Sequence, residues 1–265
     1  MSMTQEQKAA QFQALHQSGC FIIPNPWDAG SARVLAGMGY LALATSSGAA
    51  AGVLGRKDGE ISRDEALAHA RIVVMATDLP VAADLEHGFG DAPADAALTI
   101  RRAAEAGLVG GSIEDASGID AASGARRIYD FNHALERVAA AAEAAHAHTF
   151  PFTFTARCEN FLRGKADLDD TIRRLQAYEK AGADVLFAPG LPNIDAVRTV
   201  CQSLAKPFNF MVGIKGKSFS VAELEAAGVR RISLATSLYR AAMAGMRGAI
   251  EEVKATGTFG YLDRL

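Results

Sequence analysis

The sequence contains little of what marks a secreted, membrane-spanning or nucleic-acid-binding protein. Three of its 265 residues are cysteines (Cys20, Cys158 and Cys201), odd in number and far apart along the chain. This usage is typical of reduced cytoplasmic thiols rather than of a disulfide framework or a zinc site. The formal net charge is only −3, so there is no electrostatic reason to expect nucleic acid or an anionic membrane as a partner.

Several motifs are also missing. No apolar run approaches the roughly 18 residues of a membrane-spanning helix, and the polar segment MSMTQEQKAAQFQAL does not read as a signal peptide. Gly88-Phe89-Gly90 has no G-x-G-x-x-G continuation and no P-loop lysine motif occurs, so nucleotide binding is unsupported. Neither a serine elbow nor a Cys–His signature indicates nucleophilic catalysis. We therefore expect a cytoplasmic protein that is not a secreted, membrane-spanning, nucleic-acid-binding or nucleotide-binding protein.

The sequence does contain a recurring pattern. An alanine-rich helical pattern ends at a glycine and an apolar run follows, as in AGMGYLALATSSG, AGLVGGSIED, AGADVLFAPG and AAGVRRISLATS. Glycine closes helices in the left-handed conformation, and continuous apolar strands are expected where both faces of a sheet are covered. No linker divides the chain, so we predict one domain over residues 1–265.

Counting these runs predicts eight strands separated by amphipathic helices, which favours a closed (β/α)8 barrel over an open sheet. The predicted strands are Cys20–Asn25, Tyr40–Ser46, Val81–Glu86, Val109–Glu114, Phe152–Arg157, Val185–Pro189, Phe208–Val212 and Arg231–Ala235. A last helix, Tyr239–Lys254, carries Met243, Met246 and Ile250 on one face. This helix either covers its own barrel or docks on a partner chain.

Acidic residues recur at the predicted strand ends, where such barrels place their chemistry. Asp84 and Glu86 end the third strand, on one face because side chains alternate, and Glu114 ends the fourth. Crowded carboxylates either raise one another's pKa or require a cation. Oxygen ligands without His or Cys favour Mg²⁺, with Mn²⁺ possible. Each acid alone could be a solvated loop carboxylate, but together they predict a metal site.

Two further strand ends complete the candidate site. Arg157 ends the fifth strand and could hold a substrate carboxylate through paired hydrogen bonds, or neutralise a neighbouring acid. The segment Thr45–Gly48 (TSSG) ends the second strand. Its backbone N–H groups could cradle an oxyanion, although small residues also simply turn a chain.

These residues, in this order, resemble the isocitrate lyase/phosphoenolpyruvate mutase superfamily. The resemblance runs from Phe21 to Val212 through NPWDAGSARVLAGMGY, TSSG, ADLEHGFGD, GGSIED, FTARCENFL, ADVLFAPGL and PFNFM. It implies a (β/α)8 barrel, Mg²⁺, and a small 2-oxo or 2-hydroxy carboxylate whose C–C or P–C bond reacts through an enolate-like species. It also implies a homodimer or homotetramer whose subunits exchange the last helix, here Tyr239–Lys254.

For the metal, the resemblance makes Asp84 the direct ligand, close enough to count among the substrate-binding residues. It makes Glu86 and Glu114 acids that act largely through bound waters, with Glu114 also catalytic. Asp58, in GRKDGE, falls where the family places another catalytic acid near the metal.

For the substrate, the resemblance points to residues on two other strands. Ser46, Ser47 and Gly48 match the segment that contacts the carboxylate and oxyanion, and Arg157 matches the arginine that binds the substrate. Mg²⁺ and Arg157 together would withdraw negative charge and stabilise an enolate.

The segment after the fourth strand departs from the family. Isocitrate and methylisocitrate lyases carry Lys-Lys/Arg-Cys-Gly-His there, and phosphonate-acting members carry Lys and Asn. Here Asp115–Asp130 reads DASGIDAASGARRIYD and has none of these residues. The thiol proton donor is missing, so true isocitrate cleavage is not expected. The segment is still typical of a lid, with Arg126 and Arg127 as a basic pair, or of a helix-capping linker.

The sequence therefore favours a Mg²⁺-dependent lyase that cleaves a C–C bond of an oxaloacetate- or methylisocitrate-like acid through an enolate. Two alternatives stay open. One is P–C bond chemistry, as in phosphonopyruvate hydrolase or phosphoenolpyruvate mutase, and the other is a 2-oxoacid-binding barrel without turnover.

Overall fold

The computed structural model of the chain describes residues 3–119, 124 and 126–264; residues 120–123 and 125 of the predicted lid lie outside the described residues. Eight parallel strands form one sheet in the order β1-β8-β7-β6-β5-β4-β3-β2. They are β1 (Phe21–Ile23), β2 (Leu43–Ala44), β3 (Val81–Asp84), β4 (Gly110–Glu114), β5 (Thr153–Arg157), β6 (Val185–Phe187), β7 (Phe208–Met211) and β8 (Arg231–Ser233). The predicted (β/α)8 barrel is confirmed, with every strand shorter than predicted.

Helices separate the strands. They are α1 (Gln5–Leu15), α2 (Ala29–Gly37), α3 (Ser47–Val53), α4 (Arg63–Ala76), α5 (Pro93–Glu105), α6 (Phe131–His146), α7 (Leu168–Lys180), α8 (Ile194–Gln202), α9 (Val221–Ala226) and α10 (Ser237–Thr256), with 3₁₀ turns at Asn160–Arg163 and Gly260–Arg264. Thr4, Ser62 and Ser220 begin three of these helices with capping boxes, in which side chain and backbone satisfy each other's N–H groups. Local sequence therefore fixes where these helices start.

The barrel closes between its first and last strands. β1 pairs with β8 in the register Phe21↔Arg231. Between β1 and β2, the Ala44 N–H donates to the Pro24 carbonyl at 3.1 Å, and the buried Asn25 amide donates to the Ala44 and Thr45 carbonyls at 3.0 Å. These bonds satisfy polar groups that an open sheet would leave unpaired at its edges.

Helix α1 closes the N-terminal end of the barrel. Phe12 is fully buried, and a Cβ placed on Gly110 would lie 2.9 Å from its ring, so β4 approaches the helix through glycine. Gln5 anchors the same helix by donating to the Ala104 and Leu108 carbonyls at 2.8 and 2.9 Å. Because this end is filled, the carboxyl ends of the strands form the accessible end.

Helix α10 is different from the helices that pack on the sheet. None of its 20 residues is buried, and Met246 and Ile250 are 59% and 62% exposed. Tyr239, near its start, packs edge-on against Trp27. Its apolar face therefore does not cover its own barrel, and docking on a partner chain stays a prediction. Within the described ranges, no helix combines the length and apolar character needed to cross a membrane.

Candidate active site

The turn after β3 corrects one sequence prediction. β3 ends at Asp84, so Glu86 is not on the strand and does not share its face with Asp84 through strand alternation. Glu86 instead has a left-handed backbone (φ 48°), and its N–H donates to Asp84 Oδ1 at 3.2 Å. The chain leaves the pleat because Asp84 caps this turn with its own side chain. Glu86 therefore reaches the barrel rim from a turn.

Asp84 is held by the residue that starts α3. Both the N–H and the hydroxyl of Ser47 donate to Asp84 Oδ2, at 3.3 and 2.9 Å. The TSSG segment, predicted to end the second strand, is thus a strand-to-helix junction that fixes the carboxylate. Asp84 keeps 19% of its side chain exposed, so it remains available to a ligand at the rim.

The other predicted residues of this junction, Ser46 and Gly48, lie close to Thr236. Ser46 Oγ lies 3.0 Å from Oγ1 of Thr236, the residue immediately before α10. A Cβ on Gly48 would lie 2.9 Å from Thr236 Oγ1 and 3.5 Å from the Asp58 carboxyl carbon. Glycine at position 48 thus lets the Thr236 hydroxyl approach the backbone, with Asp58 in ordinary contact beside it. Thr236 was not among the residues predicted from the sequence.

A guanidinium from the predicted lid joins two of the acids. Arg126 Nη2 lies 2.8 Å from Glu86 Oε2, and Arg126 Nη1 lies 2.8 Å from Glu114 Oε1. All three side chains are at most 8% exposed. Gly59, with φ 88°, makes room, because a Cβ there would overlap Arg126 Nη2. The sequence singled out Arg126 only as part of a basic pair.

Arg157 lies on the other side of Glu114. Its Nε lies 2.5 Å from Glu159 Oε1, and its Nη1 is 3.6 Å from Glu114 Oε2 and 3.8 Å from Asp84 Oδ2. Glu159 is fully buried and is also paired with Arg163 at 2.8 Å. Glu159 therefore orients Arg157. Sequence reasoning missed it, although it stands two residues after Arg157.

Burial and charge alter the acidity of the site. Burial, followed by the charge of Asp84, raises the pKa of Glu86 to about 7. Burial, followed by the charge of Glu159, raises the pKa of Glu114 to about 8. Burial alone would lower the pKa of Arg157, but the carboxylates around it, Glu159 first, raise it above its usual range. Arg157 thus stays charged, and the two glutamates can hold a proton near neutral pH.

The donor set at this rim suits a hard cation held partly through water. All candidate ligands are carboxylate oxygens, and Glu86 Oε1 is buried with no hydrogen-bond partner. In the described part of the chain, however, no three His, Cys, Asp or Glu side chains lie close enough to hold a metal ion directly. His87 follows Glu86 in the chain, and its pKa is lowered to about 4, first by burial and then by the positive charge of Arg137. The metal roles of Asp84, Glu86 and Glu114 stay a prediction.

A cavity of about 60 Å³ extends from this rim into the barrel. Asp84 and Arg157 line its upper part, and Thr155, Asn209 and Arg231 line it deeper. Much of the remaining wall is formed by small residues, which leave the space open: Ala44, Ser46, Ala82, Ala83, Gly111, Ser112, Ser233 and Ala235. The arrangement can therefore hold a small anionic molecule between an arginine and a carboxylate.

Comparison with known proteins places this site in a family. The family model described as phosphoenolpyruvate phosphomutase matches residues 12–254. The chain is 30% identical over 210 residues to 2-methylisocitrate lyase of Escherichia coli (strain K12), covering 77% of this chain and 69% of that protein. It is 31% identical over 195 residues to oxaloacetate decarboxylase of Bradyrhizobium diazoefficiens, covering 71% and 65%.

One solved crystal structure superposes on nearly the whole chain. A protein from Burkholderia cenocepacia J2315, described as a lyase/mutase, superposes with a TM-score of 0.94 at 51% identity, covering 98% of this chain and 92% of that one. The family match spans the barrel and every candidate residue, from Ser46 to Arg157. The chain therefore belongs to the isocitrate lyase/phosphoenolpyruvate mutase superfamily and is an enzyme of that type.

Proposed function

We propose that this protein is a Mg²⁺-dependent lyase that cleaves a C–C bond of a small 2-oxo or 2-hydroxy carboxylate, oxaloacetate- or methylisocitrate-like. The observation that carries the proposal is Arg157, fixed by the buried Glu159 and placed beside Asp84 at the mouth of a small polar cavity. Relatives named 2-methylisocitrate lyase and oxaloacetate decarboxylase support the substrate class.

The residues of this chain would divide the work between binding and charge stabilisation. Arg157 binds the substrate carboxylate through its remaining N–H groups, and Ser47 keeps Asp84 in place. Asp84 would hold Mg²⁺ directly, with Glu86 and Glu114 acting through water. When bound there, Mg²⁺ supplies Lewis-acid stabilisation of the enolate charge that forms as the C–C bond breaks.

The segment between β4 and α6 supports a reaction other than isocitrate cleavage. It brings Arg126 to Glu86 and Glu114, and it contains neither the thiol nor the histidine of the isocitrate lyases. Decarboxylation and retro-aldol-like cleavage both form an enolate, so either reaction would use the residues proposed to bind Mg²⁺ and the substrate carboxylate. Burial raises the pKa values of Glu86 and Glu114 to about 7 and 8, so in the absence of a metal these two acids of the rim can hold a proton near neutral pH.

A substrate panel tests the proposal. Purified protein with Mg²⁺ would receive oxaloacetate, 2-methylisocitrate, other malate-like acids and phosphonopyruvate, while pyruvate and inorganic phosphate are measured. We expect pyruvate from a C–C substrate and no activity in Asp84→Asn. Asp195→Asn, at a surface carboxylate 82% exposed, serves as the matched control and should keep full activity.

Other outcomes of the panel would contradict the proposal. Phosphate release from phosphonopyruvate would indicate P–C bond chemistry instead. Saturable binding of 2-oxo acids without any product would indicate a barrel that binds carboxylates without turnover. Full activity of Asp84→Asn would contradict the metal assignment.

We also propose that the protein works as a cytoplasmic homodimer or homotetramer in which α10 docks on a partner subunit. A 20-residue helix without a buried residue lacks the packing that stabilises helices in proteins. Its exposed Met246 and Ile250 would be covered by a second copy of the chain. The three cysteines are free thiols, which suits a reducing compartment.

A further inference from the structure

A second arginine lies inside the barrel, below the candidate active site. Arg231, the first residue of β8, is 6% exposed and lines the deep part of the cavity. Its Nε donates to Asn209 Oδ1 at 2.8 Å, its Nη2 to Thr155 Oγ1 at 3.0 Å, and its Nη1 lies 3.3 Å from His16 Nε2. These three contacts use three of its five N–H groups.

All three partners of Arg231 are uncharged. His16 Nδ1 lies 2.8 Å from the Phe12 carbonyl, so Nδ1 carries the proton and Nε2 accepts from Arg231. The pKa of His16 is lowered to about 3, by burial and then by Arg231, so this imidazole is neutral at physiological pH. Among the residues that the structure describes, no carboxylate forms an ion pair with Arg231, whereas Arg157 lies within 4 Å of three.

An unpaired guanidinium in the protein interior is costly. Burial lowers the pKa of Arg231 to about 9, and no carboxylate of the described residues counteracts this shift. Buried charges are normally paired because the loss of hydration is not otherwise repaid. The barrel nevertheless keeps small residues around this charge and an open space above it. A positive charge beside an open space is the arrangement expected where an anion binds.

The position of Arg231 relative to Arg157 limits the size of that anion. Thr155, which bonds Arg231, precedes Arg157 by two residues on β5, about 6.6 Å along the strand. The two arginines therefore lie at different depths of one cavity, as two carboxylates of one small molecule would require. A cavity needs about 10–15 Å³ of such space to hold one water molecule, so the cavity of about 60 Å³ takes a small molecule of only a few heavy atoms.

We propose that Arg231, with Thr155 and Asn209, forms a second carboxylate subsite on the cavity floor, which takes the distal carboxylate of a four-carbon dicarboxylic substrate. The proposal rests on the proposed function, which places the reacting 2-oxo or 2-hydroxy carboxylate at Arg157. A planar guanidinium matches a carboxylate through two parallel hydrogen bonds. The substrate would thus be selected by its two charges, one at the rim and one at the floor.

Two matched ligands test this subsite by isothermal titration calorimetry on the full chain with Mg²⁺. L-malate and L-2-hydroxybutyrate share the proximal hydroxy acid and differ in the distal group, a carboxylate or a methyl. We expect native protein to prefer malate, and Arg231→Met to lower malate affinity about 10- to 100-fold while 2-hydroxybutyrate affinity changes less than about twofold. Arg230→Met, the same change at the exposed neighbouring residue, is the control.

The remaining outcomes separate this proposal from the proposed function. Unchanged malate affinity in Arg231→Met, or equal losses for both ligands, would overturn the subsite while leaving the rim site in place. If neither ligand bound native protein, the proposed function itself would fail. Should Arg231→Met not fold, Arg231→Lys gives the same comparison: losing the planar fork should weaken malate severalfold, and native-like malate binding would count against the subsite.

Discussion

Arg126 holds Glu86 and Glu114 together: its Nη2 lies 2.8 Å from Glu86 Oε2, and its Nη1 lies 2.8 Å from Glu114 Oε1. The two acids are the ones predicted to support a metal through water. A cation from the chain itself therefore lies against the predicted metal acids and balances part of their charge. Any added cation must share these carboxylates with Arg126.

The first prediction concerns this pairing. In Arg126→Gln, the buried Glu86 and Glu114 lose their cation, and we expect the free energy of unfolding without Mg²⁺ to fall by about 3 kcal/mol. Mg²⁺ should restore much of that loss, because it can replace the missing positive charge. Thermal unfolding with increasing MgCl₂ measures both effects.

A surface arginine provides the comparison. Arg102 is 41% exposed and pairs with the exposed Asp64, so Arg102→Gln should change unfolding by less than about 1 kcal/mol, at any Mg²⁺ concentration. A Mg²⁺ response of Arg126→Gln no larger than that of native protein would count against a shared cation position.

The second prediction concerns acid stability. In the folded state the pKa of His16 is lowered to about 3, so the imidazole stays neutral until the pH approaches that value. In the unfolded chain His16 takes up a proton near pH 6.5. Between these values the unfolded state binds more protons, so stability is lost as pH falls from about 6.5 to about 3. One such group contributes up to about 1.4 kcal/mol for each pH unit.

Urea unfolding of native protein and His16→Gln at several pH values measures this contribution. Glutamine stays neutral and retains an oxygen that can accept from Arg231, so the variant should lose less stability below pH 6.5. Above pH 7 the difference between the two proteins should be constant. Parallel curves across the acid range would show that His16 does not control this dependence.

The third prediction concerns α10. If its exposed face docks on a second subunit, Ile250→Asp places a charge in an apolar contact and should shift the protein to a smaller species. Size-exclusion chromatography with light scattering measures the mass. Lys254→Gln, near the end of the same helix, should leave the mass unchanged. A native protein that runs as a monomer would refute helix docking.

The architecture and much of the rim could be predicted from the amino-acid sequence. Repeated glycine-closed helices followed by apolar runs specify eight parallel strands, because these signals are local and recur along the chain. The same pattern places Asp84, Glu114 and Arg157 at strand ends, and a barrel gathers such ends at one face. The resemblance added Asp58, which the structure brings beside Gly48.

The pairing of those residues, in contrast, could be seen only in the folded chain. Strand periodicity does not encode the left-handed backbone turn at Glu86. Nor does it encode the ion pairs of Arg126 with Glu86 and Glu114, or the pairing of Arg157 with Glu159. Arg231 is the clearest case. In the sequence it is one more residue of an apolar strand, and only barrel closure turns its charge inward, above His16 and below Arg157. Its position depends on contacts between residues up to 215 apart, which no local pattern determines.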